Sequence, residues 1–261
     1  MSYKGKGCFS AIFDGSIPIG IVKHGLDTVF KKPSEPIVPE TGYITDGLIA
    51  NFSGEDNYNN GAWVDRVSGY KFVPVSSSTA PVYDATNKLY QATSFGGMKS
   101  DFTVTPNENF TLEVVTRDIK NCTSSNMSQY YATMVGGVMD GWGMTEGTIA
   151  LIKNKGTGTI AAALSGSTYE TLATPTLNDN ELNTWVWALG SGSYVDGEKI
   201  RECANTYNTA RGIGLFTHYS GSYTSYYRAK GKIHAIRIYN RCLTDEEIAH
   251  NHAEDVRIYG E

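Results

Sequence analysis

From Tyr43 to Tyr239 the apolar residues come in short runs, and a turn-forming residue ends nearly every run. Gly47-Leu-Ile-Ala-Asn-Phe-Ser alternates and stops at Gly54-Glu-Asp-Asn. In Phe110-Thr-Leu-Glu-Val-Val-Thr-Arg, one side carries Phe110, Leu112 and Val114 and the other Thr111, Glu113 and Val115. Runs at 70–75, 131–138, 147–153, 160–164, 184–189, 213–217 and 229–239 obey the same rule. A period of two is that of a strand. About a dozen strands, roughly 8–15 residues apart with Gly, Asn, Asp and Ser between them, predict a sandwich or barrel. Helical stretches between the runs are nearly missing, which disfavours parallel βαβ order. The 28 glycines and 17 tyrosines fit short strands joined by tight turns.

The N-terminus reads differently. Gly15 to Lys32 offers two short strands around a turn at Lys23-His24-Gly25. Pro33, Pro36 and Pro39 then forbid helix and disfavour a central strand, leaving a stiff, extended tether. The expected division is a small β element over 1–32, a tether over 33–42 and a main β domain over 43–261. A piece as small as 1–32 buries little surface alone. It either packs on the main domain as an extra hairpin or docks on another chain.

Composition excludes several classes. Lys plus Arg total 22 against 27 Asp plus Glu, a net charge of −5, which argues against a phosphate-dominated nucleic-acid binder. No run approaches the ~18 apolar residues of a spanning helix. The start, Met1-Ser-Tyr-Lys-Gly-Lys-Gly-Cys, leads into no apolar signal core, so a leaderless chain is expected. Cys8, Cys122, Cys203 and Cys242 are far apart and form no Cys-x-x-Cys, which reads as free thiols.

One helix is expected near the end. Thr244 with Glu247 three residues on forms a capping box, and Asp245 and Glu246 suit the positive end of the helix dipole. Ile248 and Ala249 offer a narrow apolar side, so about two turns are expected, fraying by His252 or Glu254.

Three segments together resemble the laminin-G-like, concanavalin A-like family of jelly-roll sandwiches. The first is Gln91-Ala-Thr-Ser-Phe-Gly-Gly-Met-Lys-Ser-Asp-Phe with Asn109-Phe-Thr-Leu-Glu-Val-Val. The second is Trp185-Val-Trp-Ala-Leu-Gly-Ser-Gly-Ser-Tyr-Val-Asp-Gly-Glu-Lys, similar to the family's hairpin with an Asp-Gly turn. The third, Gly231-Lys-Ile-His-Ala-Ile-Arg-Ile-Tyr-Asn-Arg-Cys-Leu-Thr-Asp-Glu-Glu-Ile-Ala-His-Asn, matches the C-terminal strand-and-helix signature and is the most specific. The resemblance implies an all-β fold: a two-sheet antiparallel jelly-roll sandwich with one short C-terminal helix and a small N-terminal β element. Strict alternation in the last strand puts Ile233, Ala235, Arg237 and Tyr239 on one face and Lys232, His234, Ile236 and Ile238 on the other.

Catalysis is not expected from these residues. Glucanases with this jelly roll place alternating carboxylates on one strand, with acid and nucleophile ~5–5.5 Å apart for retention. The comparable strand here has Glu113, but Val115 and Arg117 follow on the same face. Glu113 therefore reads as a solvated or paired sheet residue. Asp179, Asn180 and Glu181 cluster on a turn. No Gly-x-Ser-x-Gly motif is present, and His24, His218, His234, His250 and His252 lack zinc spacing.

The resemblance implies glycan or protein binding, often with calcium. Sugars offer both C–H patches and hydroxyls, so aromatic faces beside polar groups suit them. Candidate ligand-binding residues are Tyr130, Tyr131, Asp140, Trp142, His218, Tyr219, Tyr223, Tyr226, Tyr227 and Arg228. Calcium, if bound, would draw on Asp56, Asn57, Asp140, Asp179 and Asn180, with no ligand set assigned. The Gly-x-x-x-Ile rhythm of 15–32 resembles short modules at the ends of bacteriophage structural proteins. The expectation is a non-enzymatic virion protein: capsid decoration, head fibre or tail. Residues 1–40 would anchor it to other virion proteins, and its lectin-like sandwich would bind bacterial-surface or host glycans by avidity in a homo-oligomer. A jelly-roll glycoside hydrolase or lyase, a structural cement protein, and a bacterial cell-surface setting are the alternatives.

Overall fold

The computed structural model describes residues 20–24, 27–31, 41–55, 58–59, 61–92, 96–121, 131–137, 150–154, 160–163, 170–171, 181–202, 210–217 and 229–260. The chain divides into two compact units, Met1–Ile37 and Val38–Glu261. The smaller contains an antiparallel hairpin, β1 (Gly20–His24) and β2 (Asp27–Lys31). Its last registered pair is His24 opposite Asp27, so Lys23 and His24 belong to the first strand and not to the turn expected there.

The larger unit is built on two antiparallel sheets. The first contains β3 (Leu48–Ser53), β7 (Val82–Asp84), β8 (Leu89–Ala92), β10 (Thr111–Asn121), β15 (Leu182–Ala188), β16 (Gly192–Val195), β17 (Glu198–Glu202) and β19 (Ala229–Tyr239). Its order is β17-β16-β15-β10-β19-β8-β7, with β3 also paired to β19. The second contains β4 (Tyr58–Asn59), β5 (Ala62–Val64), β6 (Lys71–Pro74), β9 (Met98–Ser100), β11 (Tyr131–Gly137), β12 (Ala150–Asn154), β13 (Ile160–Ala163), β14 (Glu170–Thr171) and β18 (Ile213–Leu215). Its order is β14-β13-β12-β11-β18-β9-β6-β5-β4. One helix, α1 (Asp245–Tyr259), follows β19. This is the two-sheet sandwich with a C-terminal helix that the family resemblance implied, where the strand rhythm alone allowed a sandwich or a barrel.

The inward side chains of both sheets form one core. It joins Phe52, Tyr90, Leu112, Val114, Trp185, Trp187, Ile236 and Ile238 of the first sheet to Trp63, Phe72, Met98, Val135 and Leu215 of the second. Aromatic rings fill one end, with Trp63 stacked on Tyr90 at 4.4 Å and Phe52 tilted against Phe72 at 4.5 Å between centroids. The β16–β17 turn has Asp196 at φ 53° and Gly197 at φ 82°, the left-handed pair that a two-residue hairpin with this twist needs.

Two departures from the sequence reading shape the outer face. The helix is 15 residues long, about twice the length expected. Its capping box is in place: Thr244 Oγ1 accepts from the Glu247 amide, and Glu247 Oε2 accepts from the Thr244 amide. It persists because its buried face is largely polar, with Asn251 and Asp255 beside Ile248 and Tyr259. Apolar periodicity does not report such a face.

The second departure is in β19. Val115 pairs with Ala235 and Thr116 with Ile233, so His234 is an extra residue, a β-bulge. Ile233 thereby joins Ile236 and Ile238 in the inner core. Lys232 and His234 go to the outer side with Arg237, against the strict alternation expected.

Candidate functional site

The outer face of the first sheet carries α1, and a buried ion network fastens the two. Arg237, with no exposed side-chain surface, gives Nε to Glu113 Oε2 at 2.6 Å. Its Nη1 and Nη2 donate to the two Asp255 carboxylate oxygens at 2.8 and 2.7 Å. Asn251 Nδ2 donates to both Glu113 oxygens, Tyr43 and Thr184 hydroxyls donate to Asp255, and the guanidinium lies 4.0 Å from the Tyr43 ring centre. Burial pushes the Glu113 carboxyl up, and Arg237 pulls against it. Burial alone would lower Arg237, but Asp255 and Glu113 more than reverse that and hold it charged. Glu113 is thus the paired sheet residue the sequence suggested, locked under the helix.

Beyond the C-terminal end of this network the outer face opens into a pocket of about 270 Å³. Four pieces of the fold build it: the β7–β8 turn with Asn87 and Lys88, Arg117 on β10, Lys232 and His234 on β19, and Tyr259 at the end of α1. The β19 bulge delivers Lys232 and His234 to this side. Bulges re-aim side chains in this way and are frequent beside functional sites.

The turn is held firmly. Asp84 Oδ1 accepts from the Thr86 and Asn87 amides at 3.0 Å each, and its Oδ2 accepts from Asn87 Nδ2 at 2.7 Å. These bonds hold the Asp84 carboxyl below the usual range. Lys88 has φ 53°, a left-handed backbone that a lysine rarely adopts. Its carbonyl stands 3.0 Å from His234 Nδ1. A carbonyl only accepts, so Nδ1 carries the proton and Nε2 presents a lone pair. Nε2 is buried and has no hydrogen-bond partner among the described residues. The His234 ring packs on Tyr259 at 4.9 Å.

Among the described residues, three cations line the pocket and two acids, Glu55 and Asp84, stand near them. Burial, with the nearby Arg117 and Lys232 adding to it, pushes His234 down to about 4. It is therefore neutral at pH 7, and the cations are Lys88, Arg117 and Lys232. Arg117 and Lys232 are direct cross-strand partners. Arg117 Nη2 donates to the Tyr259 carbonyl at 2.6 Å. Glu55 reaches Lys88 at 3.7 Å from the rim.

Tyr130, Asp140, Trp142, His218, Tyr219, Tyr223, Tyr226, Tyr227 and Arg228 lie outside the described residues, and Tyr131 is placed only as the first residue of β11. Asp56, Asn57, Asp140, Asp179 and Asn180 also lie outside them, as do Cys8, Cys122 and Cys203. Among the described residues no group of three or more His, Cys, Asp or Glu is placed to hold a metal, and no helix is long and apolar enough to cross a membrane. Sequence reasoning missed Lys88, Arg117, Lys232 and His234. Lys232 and His234 lie inside the last strand, and strict alternation sent them to the wrong face.

No family model and no curated protein matches the chain. Solved structures do. Trypanosoma rangeli sialidase superposes with a TM-score of 0.58 at 16% identity, over 86% of this chain and 36% of that one. Domain 4 of AbnA, an extracellular arabinanase from Geobacillus stearothermophilus, solved with arabinotriose, gives 0.55 at 14% identity, over 77% of this chain and 96% of that one. The receptor-binding domain of botulinum neurotoxin D gives 0.53 at 14% identity, over 81% and 53%. The chain spans about a third of the length of the sialidases it matches. At these identities the likeness shows the fold, a β-sandwich found among carbohydrate-binding and glycan-processing proteins.

The sialidase matches correct one expectation. A chain of this fold was expected not to be an enzyme because it lacks two carboxylates on one strand. The fold also occurs in sialidases. Sialidases use a tyrosine nucleophile and so fall outside the two-carboxylate pattern. The missing pair therefore does not decide against catalysis.

Proposed function

We propose that residues 38–261 form a glycan-recognition module. The observation that carries this reading is the match to an arabinanase domain solved with arabinotriose, over nearly all of that domain's length. The test is a glycan array probed with the full chain. Binding to a defined saccharide class supports the reading; a blank array, with the protein folded and soluble, contradicts it.

The sialidase matches favour a second reading, hydrolysis of a bound glycan. Incubation with fluorogenic sialosides and bacterial-surface polysaccharides distinguishes the two, since a binding module releases neither fluorophore nor reducing ends.

For the setting we propose a virion, with the N-terminal unit as the anchor. The support is that Met1–Ile37 is a compact unit by itself, whose boundary falls within the proline-rich stretch. Deleting residues 1–40 should abolish incorporation into particles while leaving glycan binding unchanged. Incorporation of the truncated chain would contradict the anchor.

A further inference from the structure

We propose that His234 is an acid-sensitive latch: a proton taken up by its ring releases the last turn of α1, residues 256–259, from the first sheet and opens the pocket beside the β19 bulge. The latch stands whatever the sandwich binds.

Three observations carry it. The first is how the ring is held. His234, the extra residue of the bulge, is 3% exposed and lies under the end of the helix, its ring 4.9 Å from that of Tyr259. Nδ1 already donates to the Lys88 carbonyl at 3.0 Å. A second proton has only Nε2 to go to, and Nε2 is buried with no partner among the described residues. The imidazolium would carry a buried, unsatisfied charged donor. That costs far more than the unused lone pair of the neutral ring.

The second is the set of charges around the ring. Arg117 comes from β10, Lys232 from β19 and Lys88 from the β7–β8 turn. Arg117 is bonded to the Tyr259 carbonyl, which leaves its charge in place, and both it and Lys232 disfavour a cation at His234. From α1 the group against the ring is the Tyr259 phenol, which shares a hydrogen bond with Ser53 at 3.1 Å and which burial keeps protonated. Of the two acids, Glu55 is shared between Lys88 at 3.7 Å and Arg66 at 3.4 Å, and Asp84 is taken up by the turn amides.

The third is which contact yields. Charging the ring strengthens its Nδ1 bond to the Lys88 carbonyl, so the β7–β8 turn stays in place. The last turn of α1 is tied down at Tyr259, through the Arg117 bond at 2.6 Å, the Ser53 bond and packing on Val115 and Ala235. Helix ends open at the lowest cost in a fold, so this turn gives way first.

Amide hydrogen exchange on the full chain, read as protection factors at pH 7 and pH 4.5, tests the latch. With the ring titrating at about 4 when covered and at about 6.5 when released, local opening should rise roughly fiftyfold between the two conditions. The loss of protection should fall on the amides of Ile258, Tyr259 and Gly260, while those of Thr86, Asn87 and Leu189 keep theirs. Asp84, held below the usual carboxylate range, still accepts its turn bonds at pH 4.5. His234→Gln keeps a donor for the Lys88 carbonyl and cannot charge, so it should abolish the pH dependence at the end of α1. Lys232→Gln gives an independent reading should that variant misfold: with one cation fewer near the ring, the midpoint of opening should move to higher pH, and an unmoved midpoint would overturn the latch. Full loss of protection in His234→Gln would place the acid response on Glu113, which burial also pushes up, and overturn it too. Equal loss at Thr86, Asn87 and Leu189, or no loss at all, would do the same.

Discussion

Gly54 shows how one missing side chain sets the site. Its amide donates to the His234 carbonyl at 2.7 Å, where β3 ends and β8 begins along β19. A Cβ there would stand 2.0 Å from the Lys88 carbonyl oxygen, which is backbone and cannot swing away. Gly54→Ala should therefore cost about 1–3 kcal/mol, as overpacking does, and shift the β7–β8 turn. Chemical denaturation measures the cost. His234 gives a pH test at the same scale. Folded His234 titrates near 4, against about 6.5 for the unfolded chain. Between those values the unfolded chain holds the extra proton, so stability falls as pH drops from 6.5 towards 4. The loss attributable to this group is up to about 3 kcal/mol. The difference in unfolding free energy between the wild type and His234→Gln should shrink by that order across the window; a constant difference would contradict the buried, neutral imidazole. These residues were hidden in the sequence because a bulge adds one position to β19, and alternation counts positions without knowing which strand is longer.

At the scale of elements, α1 is held by a buried ion network together with Ile248 and Tyr259, which pack into two small apolar clusters on the sheet. Arg237→Ala leaves Glu113 and Asp255 buried without their cation. Breaking such a pair costs about 3–5 kcal/mol. Urea unfolding should show a lower midpoint with an unchanged slope if only stability is affected. A loss below ~1 kcal/mol, the scale of an exposed pair, would mean that the network is hydrated and the helix is fastened elsewhere. This polar seam also explains what was legible. Thr244 and Glu247 announced the helix start because a capping box is local in sequence. Its length was not legible, since Asn251 and Asp255 find their partners on β10 and β19. The Asp196-Gly197 turn was legible for the same local reason.

For the whole molecule, spacing and punctuation narrowed the fold to a sandwich or barrel, because each strand must bury one face against another layer, and the family resemblance selected the two-sheet sandwich. The pocket did not follow, because its residues come from β10, β19, α1 and one turn, far apart in sequence and joined by topology. The central claim is the proposal that residues 38–261 recognise a glycan. Probing a glycan array with the full, folded chain tests that directly. The account predicts binding to a defined saccharide class. A blank array would contradict it.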